Sequence, residues 1–171
     1  AIGLDHFARP GDELAVQQAA GTLRRNFQGY TTDDADVLLG FGASSIGELP
    51  QGYIQNAVPF GDYAEAIDAG RLATVKGLAL DDEDRLRRAV IERLMCDLAV
   101  DVGGLAERFG RDAGHFDAEL AGLADLAADG VAIVEGRRIR VPEAARPLMR
   151  IVAARFDTYL STGAGRHSRA V

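Results

Sequence analysis

Cysteine is nearly missing from this 171-residue chain, and the lone Cys96 excludes an internal disulfide framework. It equally excludes any zinc or iron–sulfur site that needs several cysteines from this chain. A reducing, cytoplasmic setting is the expectation that follows. No apolar run approaches the roughly 20 residues needed to span a bilayer, and the N-terminus lacks a charged start followed by an apolar core. Basic residues are too few for a phosphate binder: 19 Lys and Arg face 26 Asp and Glu, for a net charge of -7 and a pI near 4.9. That balance argues against unaided binding of nucleic acid or of an anionic membrane. The three histidines, His6, His115 and His167, are scattered without metal-ligand spacing, so no metal site and no catalytic residue is expected within this chain. Ser44-Ser45 lacks the Gly-x-Ser-x-Gly elbow of a serine hydrolase. Gly40-Phe41-Gly42 lacks the third glycine and following helix of a dinucleotide fingerprint.

What is present is an ordinary globular composition, 47% hydrophobic and 26% charged, long enough to bury a core. The acidic excess lies mainly before Asp81. The first half also carries most glycines and tyrosines, whereas the second is rich in Ala, Leu and Arg at helical spacing. These differences predict two units, residues 1–72 and 73–160, with a disordered tail at 161–171 rich in Gly, Ser and Arg.

Ile2 to Pro10 reads as a short strand leading into a loop. Asp12 caps a helix over Glu13 to Ala20. The stretch from Asn26 to Ile46 then combines Asn-Phe-Gln-Gly-Tyr-Thr-Thr with an apolar run, Val37 to Gly42, cut by two glycines. That run predicts a buried strand approached closely by another group. Tyr53 to Asn56 reads as an ordered piece between Pro50, Gly52 and Pro59. A short helix follows over Phe60 to Ala69, and Thr74 to Leu80 is an extended linker.

Asp81 to Asp84 open the strongest helix, with Leu86, Ala89, Val90, Leu94 and Leu98 on one face. Helices are predicted over Val102 to Phe109 and Phe116 to Ala128. A hairpin pairs Val131 to Val134 with Arg138 to Val141, and a last helix runs from Pro142 to Tyr159. The fold class is therefore α+β and mostly helical. Three helices followed by a hairpin are winged-helix-like, which keeps a stand-alone interaction module as an alternative. The second helix of a DNA reader would be basic, yet Phe116 to Gly130 carries four acids and no base.

His6 admits two readings, a ligand group at the end of a strand or a loop histidine bonded locally. Cys96, inside the apolar face of the main helix beside Met95, reads as core. Phe27 and Gln28 are either a core aromatic with a locally bonded amide, or a flat apolar surface and a polar handle for a ligand.

Three strings taken together, Gly3 to Ala15, Arg25-Asn26-Phe27-Gln28-Gly29-Tyr30-Thr31-Thr32 and Leu38-Leu39-Gly40-Phe41-Gly42-Ala43-Ser44-Ser45-Ile46, resemble the oxygen-independent coproporphyrinogen III oxidases of the radical S-adenosylmethionine superfamily. The resemblance continues through Tyr53 to Asn56, Arg87 to Ile91 and Leu94 to Cys96, and reaches Phe156-Asp157-Thr158-Tyr159-Leu160. It implies a cytoplasmic oxidoreductase that converts two propionates of coproporphyrinogen III to vinyls in haem biosynthesis. The cofactors it implies are S-adenosylmethionine and a [4Fe–4S] cluster. The family's three-cysteine loop has no counterpart here, so the resemblance implies a C-terminal portion. Residues 1–72 would be the terminal β/α segment of a partial TIM-like barrel, and 73–160 a helical domain. Such a portion, inactive without the cluster domain, would pair with the missing N-terminal barrel or self-associate through strand edges exposed near Ile2 to Leu4 and Val37 to Gly42. Phe27, Gln28 and Ile46 fall on cofactor-binding positions of the family. Ser45 stands where Ala is common. Relatives that handle haem without oxidase activity carry looser versions of these motifs.

Overall fold

The computed structural model describes residues 1–4 and 6–160, so the tail expected at 161–171 lies outside the described residues. The chain is α+β and forms two compact units, Ala1–Thr32 together with the residues from Asp82 on, and Asp33–Asp81 between them.

The first unit opens with α1, Glu13–Ala20. Asp12 caps it by accepting from the Leu14 amide at 2.9 Å, satisfying one of the free donors of the first turn. Strand β1, Arg24–Asn26, turns back through Phe27 and Gln28 into β2, Gly29–Thr31, with Asn26 opposite Gly29. Among the described residues of Ile2 to Pro10 there is no strand, and Ile2 makes an isolated bridge to His6.

The second unit holds an antiparallel sheet of β3, Ile46–Leu49, β4, Gly52–Asn56, and β5, Thr74–Ala79, in that order. Helix α2, Phe60–Asp68, lies between the last two strands in sequence. The linker expected at Thr74 to Leu80 is thus the third strand, exposed along its whole length. The strand expected at Val37 to Gly42 is absent, and only Leu38 pairs, with Glu48. The physical reason is local. The Asn56 side chain donates to the carbonyls of Gly40 and Gly42, at 3.3 and 3.1 Å, and to Ser45 Oγ at 3.1 Å. Those bonds tie the segment into a loop before a ladder can form. The close approach expected at its glycines is made by the chain itself: a Cβ on Gly40 would stand 2.8 Å from the Ile46 carbonyl.

The chain then returns to the first unit with α3, Asp82–Asp97, whose Leu86, Val90, Leu94 and Met95 are buried. Strand β6, Ala99–Asp101, leads into α4, Val102–Arg108, capped by Asp101 through the Gly104 amide at 2.9 Å. The single helix expected over Phe116 to Ala128 is divided into α5, Asp117–Ala121, and α6, Ala124–Ala128. Gly122 stands at the break, where it costs helix stability, and the turn that follows drives Leu123 fully into the core. Strands β7, Ile133–Glu135, and β8, Arg138–Arg140, form the expected hairpin, and β8 also pairs with β6. The last expected helix is 3₁₀ over Glu143–Leu148, with Pro147 inside it, then α7, Met149–Ala153, then 3₁₀ again to Phe156. A proline that cannot donate and crowds the preceding turn accounts for the tighter first part.

One core, built by α3, α4, α6, α7 and the β6–β8–β7 sheet, encloses Phe116 and Phe156, whose rings meet edge to face at 5.5 Å. The compact units are not divided at 72/73. Ile2 and Leu23 are buried against Cys96, and Arg93 donates to the carbonyls of Gly21 and Leu23 at 3.0 and 2.6 Å. These contacts hold the first 32 residues to α3.

Candidate functional site

The β1–β2 turn presents the two residues singled out from sequence. The Gln28 amide donates to Asn26 Oδ1 at 2.8 Å, an Asx turn that reverses the chain, and Gly29 follows at φ 133°, open to glycine alone. Phe27 is consequently turned outward, 51% exposed, and does not enter the core. Gln28 is exposed as well.

The hairpin is fixed beneath this tip. Tyr30 donates its hydroxyl to the Met95 carbonyl of α3 at 3.0 Å, and Gly3 lies so close to the Tyr30 ring that any Cβ there would collide with it. Glu92 accepts from the Arg25 amide at 3.1 Å and from Arg24 Nε at 3.2 Å. The imidazole of His6 meets the Tyr30 ring edge to face at 5.3 Å, and the Arg25 guanidinium lies 5.7 Å from the centre of that ring. The His6 ring packs over Gly29, where a Cβ would make an ordinary contact at 3.4 Å with Nε2, so it is the backbone angle and not His6 that calls for glycine.

Between the tip and α3 is a cavity of about 130 Å³ whose lining includes His6, Arg25, Phe27, Gln28, Tyr30 and Arg150. The structure thus brings Phe27 and Gln28 together at one small site and adds His6. Arg25 and Arg150 are lining residues that sequence reasoning missed. Arg25 sat inside the resembling string. Arg150 is 125 positions away along the chain, and nothing local marks it. Ile46 belongs to the second unit, half-buried at the start of β3.

Other candidates have structural roles. Cys96 is fully buried, and burial pushes its thiol up to about 12, the charges of Arg93 and Arg25 not compensating. A lone thiol held protonated does not fit an iron–sulfur cluster, and among the described residues no three His, Cys, Asp or Glu side chains are grouped to hold a metal ion. An aromatic face and a neighbouring amide at Phe27 and Gln28 do fit part of an S-adenosylmethionine molecule, whose adenine, methyl and amino-acid groups ask for those contacts.

His115 Nε2 lies 2.8 Å from Glu83 Oε2, and Arg87 bonds both Glu83 and Glu119, at 2.6 and 2.7 Å, while stacking 5.2 Å from the Phe116 ring centre. Burial raises the Glu83 carboxyl, but the bonds from His115 and Arg87 outweigh it and hold the group below its ordinary value. His167 lies outside the described residues. The basic hairpin face is largely neutralised within the fold: Arg137 pairs with Asp117 at 2.9 Å and Arg138 with Asp101 at 3.2 Å.

Residues 80–148 match the family described as HemN C-terminal domain. The chain is 54% identical over 170 residues to the oxygen-independent coproporphyrinogen III oxidase of Bradyrhizobium diazoefficiens, which covers 99% of this chain and 38% of that protein. It is 49% identical to the enzyme of the same name from Paracoccus denitrificans, again over 99% of this chain and 37% of the relative. The solved structure of coproporphyrinogen III oxidase (HemN) from Escherichia coli, described as a radical SAM enzyme, superposes with a TM-score of 0.86 at 41% identity, over 92% of this chain and 37% of that one. The chain therefore spans little more than a third of the length of these relatives. Residues 80–148 thus match the HemN C-terminal domain, and the chain that carries them is similar over nearly all its length to a portion of the oxygen-independent coproporphyrinogen III oxidases.

Proposed function

We propose that this chain is the C-terminal portion of a radical S-adenosylmethionine enzyme that oxidatively decarboxylates two propionates of coproporphyrinogen III to the vinyls of protoporphyrinogen IX, in haem biosynthesis in the cytoplasm. The observation that carries the reading is 54% identity to a named oxidase across 99% of this chain. Supporting it locally, Phe27 and Gln28 stand outward on a braced turn, where a ligand can reach them.

In this reading residues 1–72 are the terminal β/α segment of the partial TIM-like barrel and 73–160 form the winged-helix-like C-terminal domain that covers the substrate. The [4Fe–4S] cluster is held by the missing N-terminal barrel. When bound, S-adenosylmethionine supplies the radical that takes hydrogen from a propionate. This chain's own residues bind and orient: Phe27 offers an apolar face and Gln28 a donor and an acceptor, and Ile46 is the further cofactor-binding position that the resemblance implies. Alone, the portion is inactive.

The test is reconstitution. Separately produced N-terminal barrel with an intact cluster should release carbon dioxide from coproporphyrinogen III only when this chain is added. The double variant Phe27→Ala, Gln28→Ala should lose at least about tenfold in rate, equivalent to about 1.4 kcal/mol. An intact cluster with no turnover in the mixture would overturn the reading.

A further inference from the structure

We propose that Arg25 and Arg150 form a carboxylate-binding site beside Phe27 and Gln28, and that its natural occupant is a propionate arm. The proposal rests on the functional reading above only for the identity of the molecule that carries the arm.

Half of the described arginines, Arg24, Arg85, Arg87, Arg93, Arg137, Arg138, Arg146 and Arg155, each hold a carboxylate within 4.0 Å. Arg25 and Arg150 have no such partner among the described residues, yet both line one cavity. Arg25 Nε is buried without any hydrogen-bond partner. A buried guanidinium donor left open costs free energy, and the charge of the side chain, which lines the cavity, draws an anion there. The Tyr30 ring beneath Arg25 holds the fork in place, and Tyr30 is itself bonded to α3. A planar fork held in this way suits two parallel bonds to a carboxylate.

Size and charge select among carboxylates. The cavity, about 130 Å³, takes one arm and not a macrocycle. Among the described residues its lining contains no Asp or Glu, so among them an amino-acid carboxylate such as that of S-adenosylmethionine finds no counter-charge for its α-ammonium. A propionate has no such group. A tetrapyrrole seats one arm between the arginines.

The test uses the 171-residue chain. Arginine side-chain signals are followed by nuclear magnetic resonance while sodium propionate, propionamide or S-adenosylmethionine is added. Affinity for coproporphyrin III and its tetramethyl ester is then compared among wild type, Arg25→Gln, Arg150→Gln and the control Arg108→Gln. Propionate should move the Arg25 Nε signal and propionamide should not. Each of the first two variants should weaken coproporphyrin III by about tenfold, with the ester indifferent to all variants and Arg108→Gln unchanged. Arg150 is exposed, so its variant decides the matter even where Arg25→Gln does not fold. An Arg25 signal unmoved by propionate overturns the site. Movement with S-adenosylmethionine alone assigns the carboxylate to the cofactor and also overturns it. If propionate moves the signal but coproporphyrin III binds no better than propionate, the site stands and the tetrapyrrole reading falls.

Discussion

The two compact units are stabilised by different means. In the first, α3 and its neighbours enclose Leu86, Leu94, Phe116, Leu123, Met149 and Phe156 with essentially no exposure. In the second, Asp33–Asp81, the buried hydrophobic residues are the alanines Ala57, Ala66 and Ala73, whereas Leu39, Phe41, Val58, Phe60 and Leu72 are exposed. Burial of large side chains contributes about 1.5–3 kcal/mol each, and of an alanine methyl far less. The second unit is therefore held mainly by its sheet ladders and by the Asn56 bonds to the loop. The lesson is that its apolar residues are surplus to its own core, the pattern of a surface made to be covered. In the functional reading proposed above, the cover is the missing barrel.

The largest effect that would break this contrast is in the first unit. Phe116→Ala should destabilise by about 3–5 kcal/mol, because the ring touches Phe156 and Arg87 in a site with no room to collapse. Denaturant unfolding followed at α3 reads this directly, and a loss below about 1 kcal/mol would mean the core is not the main support. Arg87→Ala comes next, at about 2–3 kcal/mol, since it leaves Glu83 and Glu119 half-buried without their shared cation.

Acid should act on the same cluster. Glu83 is held below its ordinary carboxylate value, so its contribution is present above the value it has in the unfolded chain, about 4.5. It is lost as pH falls through the folded value. Asp101, lowered chiefly by the Gly104 amide, steepens the same limb. The stability gap between wild type and Glu83→Gln should therefore be full at pH 6 and shrink steadily below about 4.5. A gap unchanged down to pH 3 would assign Glu83 a packing role and not an electrostatic one.

Sequence pattern reached some of this molecule and not the rest, for physical reasons visible at particular residues. Helix α3 was legible because its acids crowd the first turn and Leu86, Val90 and Leu94 repeat at helical spacing. The β7–β8 hairpin was legible from Glu135-Gly136-Arg137 between two β-branched runs. At Val37 to Gly42 an apolar run implied a buried strand, but Asn56, 14 residues beyond Gly42, captures its carbonyls. Thr74 to Ala79 gave no alternation to read because both faces are exposed. At the candidate site, Asn26 and Gly29 flanking two residues were a hairpin signal that went unread. That Arg25 and Arg150 line one cavity was beyond sequence, because they stand 125 positions apart.

The smallest expected effect is the sharpest for the comparison. Phe41 is 87% exposed in the second unit, on the loop that Asn56 ties down. Replacing it by Ser removes no buried contact, so Phe41→Ser should change the unfolding free energy of this chain by no more than about 0.5 kcal/mol. Its effect should fall instead on association. If the exposed apolar residues await a cover, the wild-type chain should self-associate at high concentration and Phe41→Ser should do so less, as read by light scattering. Reconstitution with the N-terminal barrel should weaken in parallel. A destabilisation near that of Phe116→Ala would mean Phe41 is buried in solution and would erase the distinction between the units. A neutral variant that leaves both association and reconstitution unchanged would place the covered surface elsewhere in Asp33–Asp81, with Phe60 and Leu72 the next positions to replace.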